Sequence, residues 1–233
     1  MLYPYYFFDW TWIMLLPALI LAMWAQANVN STFKKYSQVY NRFGMTGAEA
    51  ARKILDMNGL YSVRVEHIAG NLTDHFDPKT NVVRLSDATY NSRSVGSIGV
   101  AAHEVGHAIQ HARAYMPIRV RNAIVPAVNV CNMLSMPIIL IGVILSYNQT
   151  LVDLGIILFS ATVLFQLVTL PVEFNASNRA IHTLESQNML APDELVGAKK
   201  VLKAAALTYV AAAVSAIMSL LRLIVLFGGR RRD

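Results

Sequence analysis

Four stretches of the chain are apolar with almost no polar interruption: Trp10 to Ala27, Ile124 to Tyr147, Leu154 to Val172 and Ala204 to Phe227. Each meets or approaches the ~20 residues that an α-helix needs to cross the ~30 Å hydrocarbon core of a bilayer. The first is too long and too aromatic for a secretory signal core, and it lacks the basic start and small-residue cleavage site of one. Tyrosines and tryptophans around its start have the composition of an interfacial belt. Between the first and second runs the period changes. "TGAEAARKILDMNGL" repeats apolar residues at helical spacing from a Thr46-x-x-Glu49 capping box until Asn58-Gly59 stops it. "YSVRVEHI" alternates as a strand, while "NLTDHF" and "NVVRLS" flank the turn sequence "DPKT" and predict a hairpin. Another helix is expected after Ser97. The pattern predicts a mainly α, polytopic helical membrane protein of about four spans, with a small α+β unit that contains a short β-hairpin.

Composition supports lipid over a large soluble core. Hydrophobic residues make up 55% of the 233 and charged residues 15%, against about 25% charged in an average soluble domain. Too few polar residues remain to enclose four such helices. The single cysteine, Cys131, rules out an intramolecular disulfide framework and is expected as a small buried hydrophobe. The net charge of +6 does not point to nucleic acid, because Lys34-Lys35, Lys199-Lys200 and Arg230-Arg231-Arg232 each flank an apolar run. A transporter or channel would carry ionisable groups inside its spans. Only Arg222 qualifies, near an end where its side chain can snorkel.

The Lys and Arg count also sets an orientation. No Lys or Arg precedes the first run and none lies in the link Asn148-Gln149-Thr150, whereas both intervening segments are basic. The positive-inside rule therefore places 28–122 and 173–203 in the cytoplasm. The expected division is an N-terminal transmembrane helix (1–27), a cytoplasmic α+β unit (28–122) and a transmembrane hairpin (123–172). A cytoplasmic helical segment (173–203) and a C-terminal transmembrane or membrane-embedded helix with its basic tail (204–233) complete it.

The candidate chemistry lies in "AAHEVGHAIQHARA", residues 101–114. His103-Glu104-x-x-His107 is an HExxH pattern, and residues i and i+4 share one face of a helix, about 6 Å apart along its axis. Two imidazoles so spaced can converge on one Zn²⁺ at ~2.0–2.1 Å per bond. Glu104 is displaced from the ligand face but can reach a water there and act as general base and acid in peptide hydrolysis. His111 stands about 12 Å of axial rise from His103, too far to share the ion on a continuous helix. It is expected to be interfacial, exposed or a supporting contact.

A catalytic zinc takes three protein ligands and leaves one position open. Asp153, at the far turn of the membrane hairpin, falls on the opposite side from the histidines. The third run brings the chain back, and the first acidic residue it reaches is Glu173 in "PVEFNASNRAIHTLE". Glu185, Asp193 and Glu194 follow on a helix of ordinary charge pattern. Asp74, Asp77, His67, Asn129 and Asn132 are expected in turn, surface or interhelical contacts. His182, Arg179, His75 and Tyr209 are candidates for stabilising a tetrahedral oxyanion.

HEVGHAIQHA, the two runs after it, EFNASNRA and KKVLKAAALTYVAAA together resemble the YugP-type membrane zinc metallopeptidases of bacteria, over nearly the whole chain. The resemblance implies His103 and His107 as zinc ligands and Glu104 as the acid–base group. More distantly, the order HExxH, membrane hairpin, Glu is similar to the HtpX-type and CAAX-prenyl membrane proteases. Their second motif reads Glu-x-x-x-Asp, its Glu binding zinc and its Asp bracing a ligand histidine. Glu173 matches that ligand, and Ser177 stands where the Asp would be. The reading is therefore a gluzincin-like, zincin-fold endopeptidase of the bacterial cytoplasmic membrane with one catalytic Zn²⁺ held by His103, His107 and Glu173. Its partners are a protein or peptide substrate and the lipid bilayer, with substrate adding as a strand to the 71–85 hairpin. The alternative is a non-catalytic, metal-stabilised membrane scaffold or chaperone. A structural zinc site would want a fourth protein ligand, and no cysteine is near.

Overall fold

The structure, a computed structural model, describes residues 9–228. Tyr3, Tyr5 and Tyr6 of the expected aromatic belt and the Arg230–Arg232 tail lie outside the described residues. A 3₁₀ turn, Trp10–Leu15, leads into α1 (Leu16–Tyr36). There follow α2 (Gly47–Met57), β1 (Arg64–Ile68), β2 (His75–Asp77), β3 (Val82–Ser86) and α3 (Val95–Ala112). Three long helices complete the chain: α4 (Met116–Ile144), α5 (Gln149–Ser186) and α6 (Pro192–Gly228). Among the described residues, four helical stretches are long and apolar enough to cross a membrane: Trp10–Tyr36, α4, α5 and α6. Pro126 and Pro137 inside α4 and Pro171 inside α5 are tolerated in such helices, because neighbouring groups re-satisfy the freed backbone.

The residues form two compact units. Among the described residues, the first comprises 9–24, 120–170 and 209–228. Within it, Gly155 lets α5 approach α4, since a Cβ there would meet the Ser135 carbonyl at 2.8 Å. Arg222, near the end of its run, is expected to snorkel. Instead its guanidinium donates to Thr11 Oγ1 at 3.0 Å and Asp9 Oδ2 at 3.3 Å, and covers the Trp12 ring at 4.2 Å. A carboxylate just ahead of the first run supplies what snorkelling would have found in water. Cys131 is half-buried, not fully buried.

The second unit comprises 25–119 and 171–208. Its core gathers Ile54 and Leu55 of α2, Val83 and Leu85 of β3, Val95, Ile98 and Val105 of α3, and Leu184 and Leu202 of α5 and α6. The Thr46 capping box forms as read: Glu49 N donates to Thr46 Oγ1 at 3.2 Å and Thr46 N to Glu49 Oε2 at 2.8 Å. The sheet has order β1-β3-β2. β2 and β3 are the predicted hairpin, and β1 adds to the far side of β3 in parallel, Arg64 opposite Val82 through Ile68 opposite Ser86. The β2 arm is shorter than expected, because Gly70 (φ 114°) and Leu72 (φ 55°) leave the extended region before it. The helix expected after Ser97 begins at Val95, since the Ser94 hydroxyl, accepting from Ser97 N at 3.0 Å, is its cap. α5 does not stop with the apolar run at Val172 but continues as one helix to Ser186.

Candidate metal centre

α3 is buried from Val95 to Gln110 except at the half-buried Val100. Such a helix must be built from small and apolar residues, so its few polar side chains stand out. Against it packs α5, and the two backbones come close at Gly106. A Cβ at that position would stand 2.8 Å from the Ala176 carbonyl oxygen and 3.2 Å from Ala176 Cα. This approach brings the face of α3 that carries His103 and His107 against the face of α5 that carries Glu173 and Ser177.

His103, His107 and Glu173 place one ligand atom each within 4.8 Å of one another. His103 Nε2 lies 3.3 Å and His107 Nε2 3.5 Å from the same Glu173 oxygen, Oε2. The two imidazoles meet edge to face, centroids 4.7 Å apart. Direct charge-assisted hydrogen bonds are shorter, about 2.7–2.9 Å. Atoms bound tetrahedrally to one ion at about 2.0–2.2 Å stand about 3.3–3.5 Å from each other. The observed spacing fits that donor set better than it fits a direct ion pair, and two nitrogens with one carboxylate oxygen suit zinc.

The other nitrogen of each ring is engaged as a ligand histidine requires. His103 Nδ1 lies 3.1 Å from Ser177 Oγ, and His107 Nδ1 lies 3.0 Å from Gln110 Oε1. Gln110, fully buried, is itself fixed: its Nε2 donates to the Val172 carbonyl at 2.8 Å and to Asn175 Oδ1 at 3.0 Å. Asn175 Oδ1 in turn accepts from Arg179 Nε at 2.7 Å. Sequence reasoning passed over Gln110. The signal was its position three residues after His107, on the same face of the helix.

Glu104 sits beside this cluster with 8% of its surface exposed, yet among the described residues no donor bonds its carboxylate. Burial favours a neutral His107 imidazole. A hydrogen bond to Glu173, the charges of Glu104 and Glu173, and Gln110 outweigh it and hold the pKa above the ordinary histidine value. The metal-free cluster therefore favours a proton where a cation would sit.

The remaining candidates are occupied elsewhere. His111 is exposed, its ring 5.8 Å from that of Phe76. Glu185 pairs with Lys199 at 3.4 Å and Asp193 with Arg42 at 2.7 Å. Glu194 accepts from Ala191 N and Arg42 N, each at 2.8 Å, closing the start of α6. Asp74 accepts from Ser86 N and Oγ, Asp77 holds its own turn through Lys79 N, and His67 pairs with Asp87 at 2.6 Å. In the first unit Asn132 bonds Thr162. Arg179 and His182 line a cavity of about 530 Å³ with Arg113 and Asn178, and no member of the histidine cluster borders it. His75 Nδ1 is held by the Thr73 carbonyl at 2.8 Å.

A family model described as "Putative neutral zinc metallopeptidase" matches residues 11–228. The chain is 52% identical over 210 residues to "Putative membrane protease YugP" of Bacillus subtilis (strain 168), an alignment covering 90% of this chain and 93% of that protein. No solved structure matches.

Proposed function

Because the chain belongs to this neutral zinc metallopeptidase family, we propose that it is a membrane-anchored, gluzincin-like zinc endopeptidase. It hydrolyses peptide bonds of protein substrates near the cytoplasmic membrane face, with one Zn²⁺ held by His103, His107 and Glu173. The observation that carries this reading is the meeting of both imidazoles on one Glu173 oxygen at tetrahedral spacing, with the buried, unbonded Glu104 beside them. A largely buried carboxylate that no protein donor engages is free to bond a water, and general acid–base catalysis gives it a use.

Bound zinc supplies Lewis acidity, polarising the scissile carbonyl and acidifying water. Glu104 takes the proton of the attacking water and passes it to the departing amine. Ser177 and Gln110 keep the two Nδ1 atoms protonated and the two Nε2 atoms free for the metal. β2, at the edge of the sheet, offers unpaired backbone groups to an extended substrate, a mode of binding that reads main chain before side chain. The basic segments 28–122 and 173–203 support the cytoplasmic orientation.

The test is a Glu104→Gln variant purified in detergent, assayed for zinc and for cleavage of an unstructured protein. Full zinc occupancy with cleavage reduced at least about hundredfold is expected. Unchanged cleavage would overturn the enzyme reading and leave the scaffold alternative. Glu173→Ala is expected to lose zinc, and stoichiometric metal in that variant would remove Glu173 from the ligand set.

A further inference from the structure

The second unit holds a groove of about 320 Å³ that takes no part in the site above. One wall is a stripe of α1, Asn28, Thr32, Lys35 and Tyr36, at the i, i+4, i+7, i+8 spacing of a single helix face. The other is a stripe of α6 carrying Lys200, Lys203 and Leu207. Three lysines thus line one groove, and no Asp or Glu lines it. Among the described residues none of the three has an ion-pair partner, whereas the adjacent Lys199 is paired with Glu185. Such a concentration of one sign in a concave surface focuses positive potential. The wall is built, not incidental. Gly197 has no side chain where a Cβ would stand 2.6 Å from the Tyr36 ring, and that opening seats the ring against α6. The Lys35 ammonium lies 5.6 Å from the centroid of the same ring.

The groove is also polarised along its length. Lys35 and Lys200 mark one end, where α1 finishes and α6 is about two turns from its start. Asn28 and Leu207 mark the other, leading into the apolar lengths of two helices long enough to span a bilayer. We propose that this groove binds the phosphate group of an anionic phospholipid. The phosphate sits among Lys35, Lys200 and Lys203, Thr32 and Asn28 offer donors to the ester oxygens below it, and the acyl chains lie along Leu207. A free phosphate shares the charge chemistry but has nothing to place on the apolar end. The proposal needs α1 and α6 to meet lipid and does not depend on the peptidase reading.

The test uses the full chain, purified in a nonionic detergent, stripped of lipid and followed by native mass spectrometry. Phosphatidylglycerol and phosphatidylcholine with identical acyl chains are titrated separately. A preference for phosphatidylglycerol of at least about tenfold is expected. It should fall to within about twofold in a Lys35→Gln/Lys200→Gln/Lys203→Gln variant. A Lys53→Gln/Lys79→Gln/Arg93→Gln variant, losing the same three charges outside the groove, should keep the preference. All six side chains are exposed, so thermal melting should match the parent. Equal binding of the two lipids by the parent overturns the proposal, as does a preference that survives in the groove variant or is lost equally in the control. Displacement of phosphatidylglycerol by millimolar inorganic phosphate overturns the lipid assignment and gives the groove to a soluble phosphate ligand.

Discussion

At the scale of the residue, the candidate centre separates atoms that would hold a metal from atoms that aim the holders. Gln110 is the clearest of the second kind. Its Oε1 accepts from His107 Nδ1, and both hydrogens of its amide are used, on the Val172 carbonyl and on Asn175. The amide therefore cannot flip without breaking three bonds, and the tautomer of His107 follows from that. Gln110→Ala is expected to weaken zinc roughly 10–100-fold, read by competition with a chromogenic chelator. Cleavage at saturating zinc should change far less, which separates a positioning residue from a catalytic one. Gln110→Glu should not restore the affinity fully, because its carboxylate still accepts from Nδ1 but turns a second oxygen on the Val172 and Asn175 oxygens to which the amide donates. These contacts were only partly legible in the sequence. The two histidines and Glu104 announce themselves by spacing, and Glu173 by the topology that returns the chain to the same side. Ser177 stands at the bracing position of the second motif, 3.1 Å from His103 Nδ1, whereas Gln110 is a residue type found on any helix, and only the packing of α3 on α5 gives it a partner.

At the scale of the element, the decisive feature is how closely α3 and α5 approach. The two glycines of α3 nearest the proposed ligands differ sharply in what surrounds them. At Gly106 an added Cβ meets the Ala176 backbone oxygen at 2.8 Å, while at Gly99 the nearest atom is the Ala198 methyl at 3.4 Å, ordinary contact. Gly106→Ala is expected to cost about 1–3 kcal/mol and to lower bound zinc, because backbone must move and the two ligand faces move with it. Gly99→Ala should leave both nearly unchanged. Thermal melting and zinc content of the two variants side by side check this. The elements themselves were mostly readable, through the α2 capping box, the β2–β3 hairpin and the apolar runs. What escaped was the parallel docking of β1 on β3, since a parallel pair has no turn between its strands to mark it. The expected helical segment after Val172 proves continuous with the third run as far as Ser186, because hydropathy falls at a polar stretch through which helical backbone geometry carries on.

At the scale of the whole molecule, a bound ion would tie together parts of the chain far apart in sequence, since His103 and Glu173 are 70 positions from each other. Whatever binds only the folded chain adds to its stability by mass action, so zinc should raise the melting temperature of the purified protein and a strong chelator should lower it. The size of that increment should depend on pH in a direction fixed by His107. In the metal-free protein its folded pKa lies above the ordinary histidine value, near 6.5. A raised pKa means that the protonated imidazole is the stabilising form. Its contribution is fully present below about 6.5 and is lost as pH rises through the folded value. Zinc requires the neutral ring and must expel that proton. The two effects therefore run in opposite directions: acid strengthens the metal-free cluster and weakens the metal's hold on it. The difference in melting temperature between zinc-loaded and chelated protein should be small at pH 5.5 and large at pH 8. Calorimetric titration of zinc in buffers of different ionisation enthalpy at pH 7 should show proton release. A melting increment that does not grow with pH, or binding without proton release, would mean that His107 is not among the groups the metal displaces a proton from.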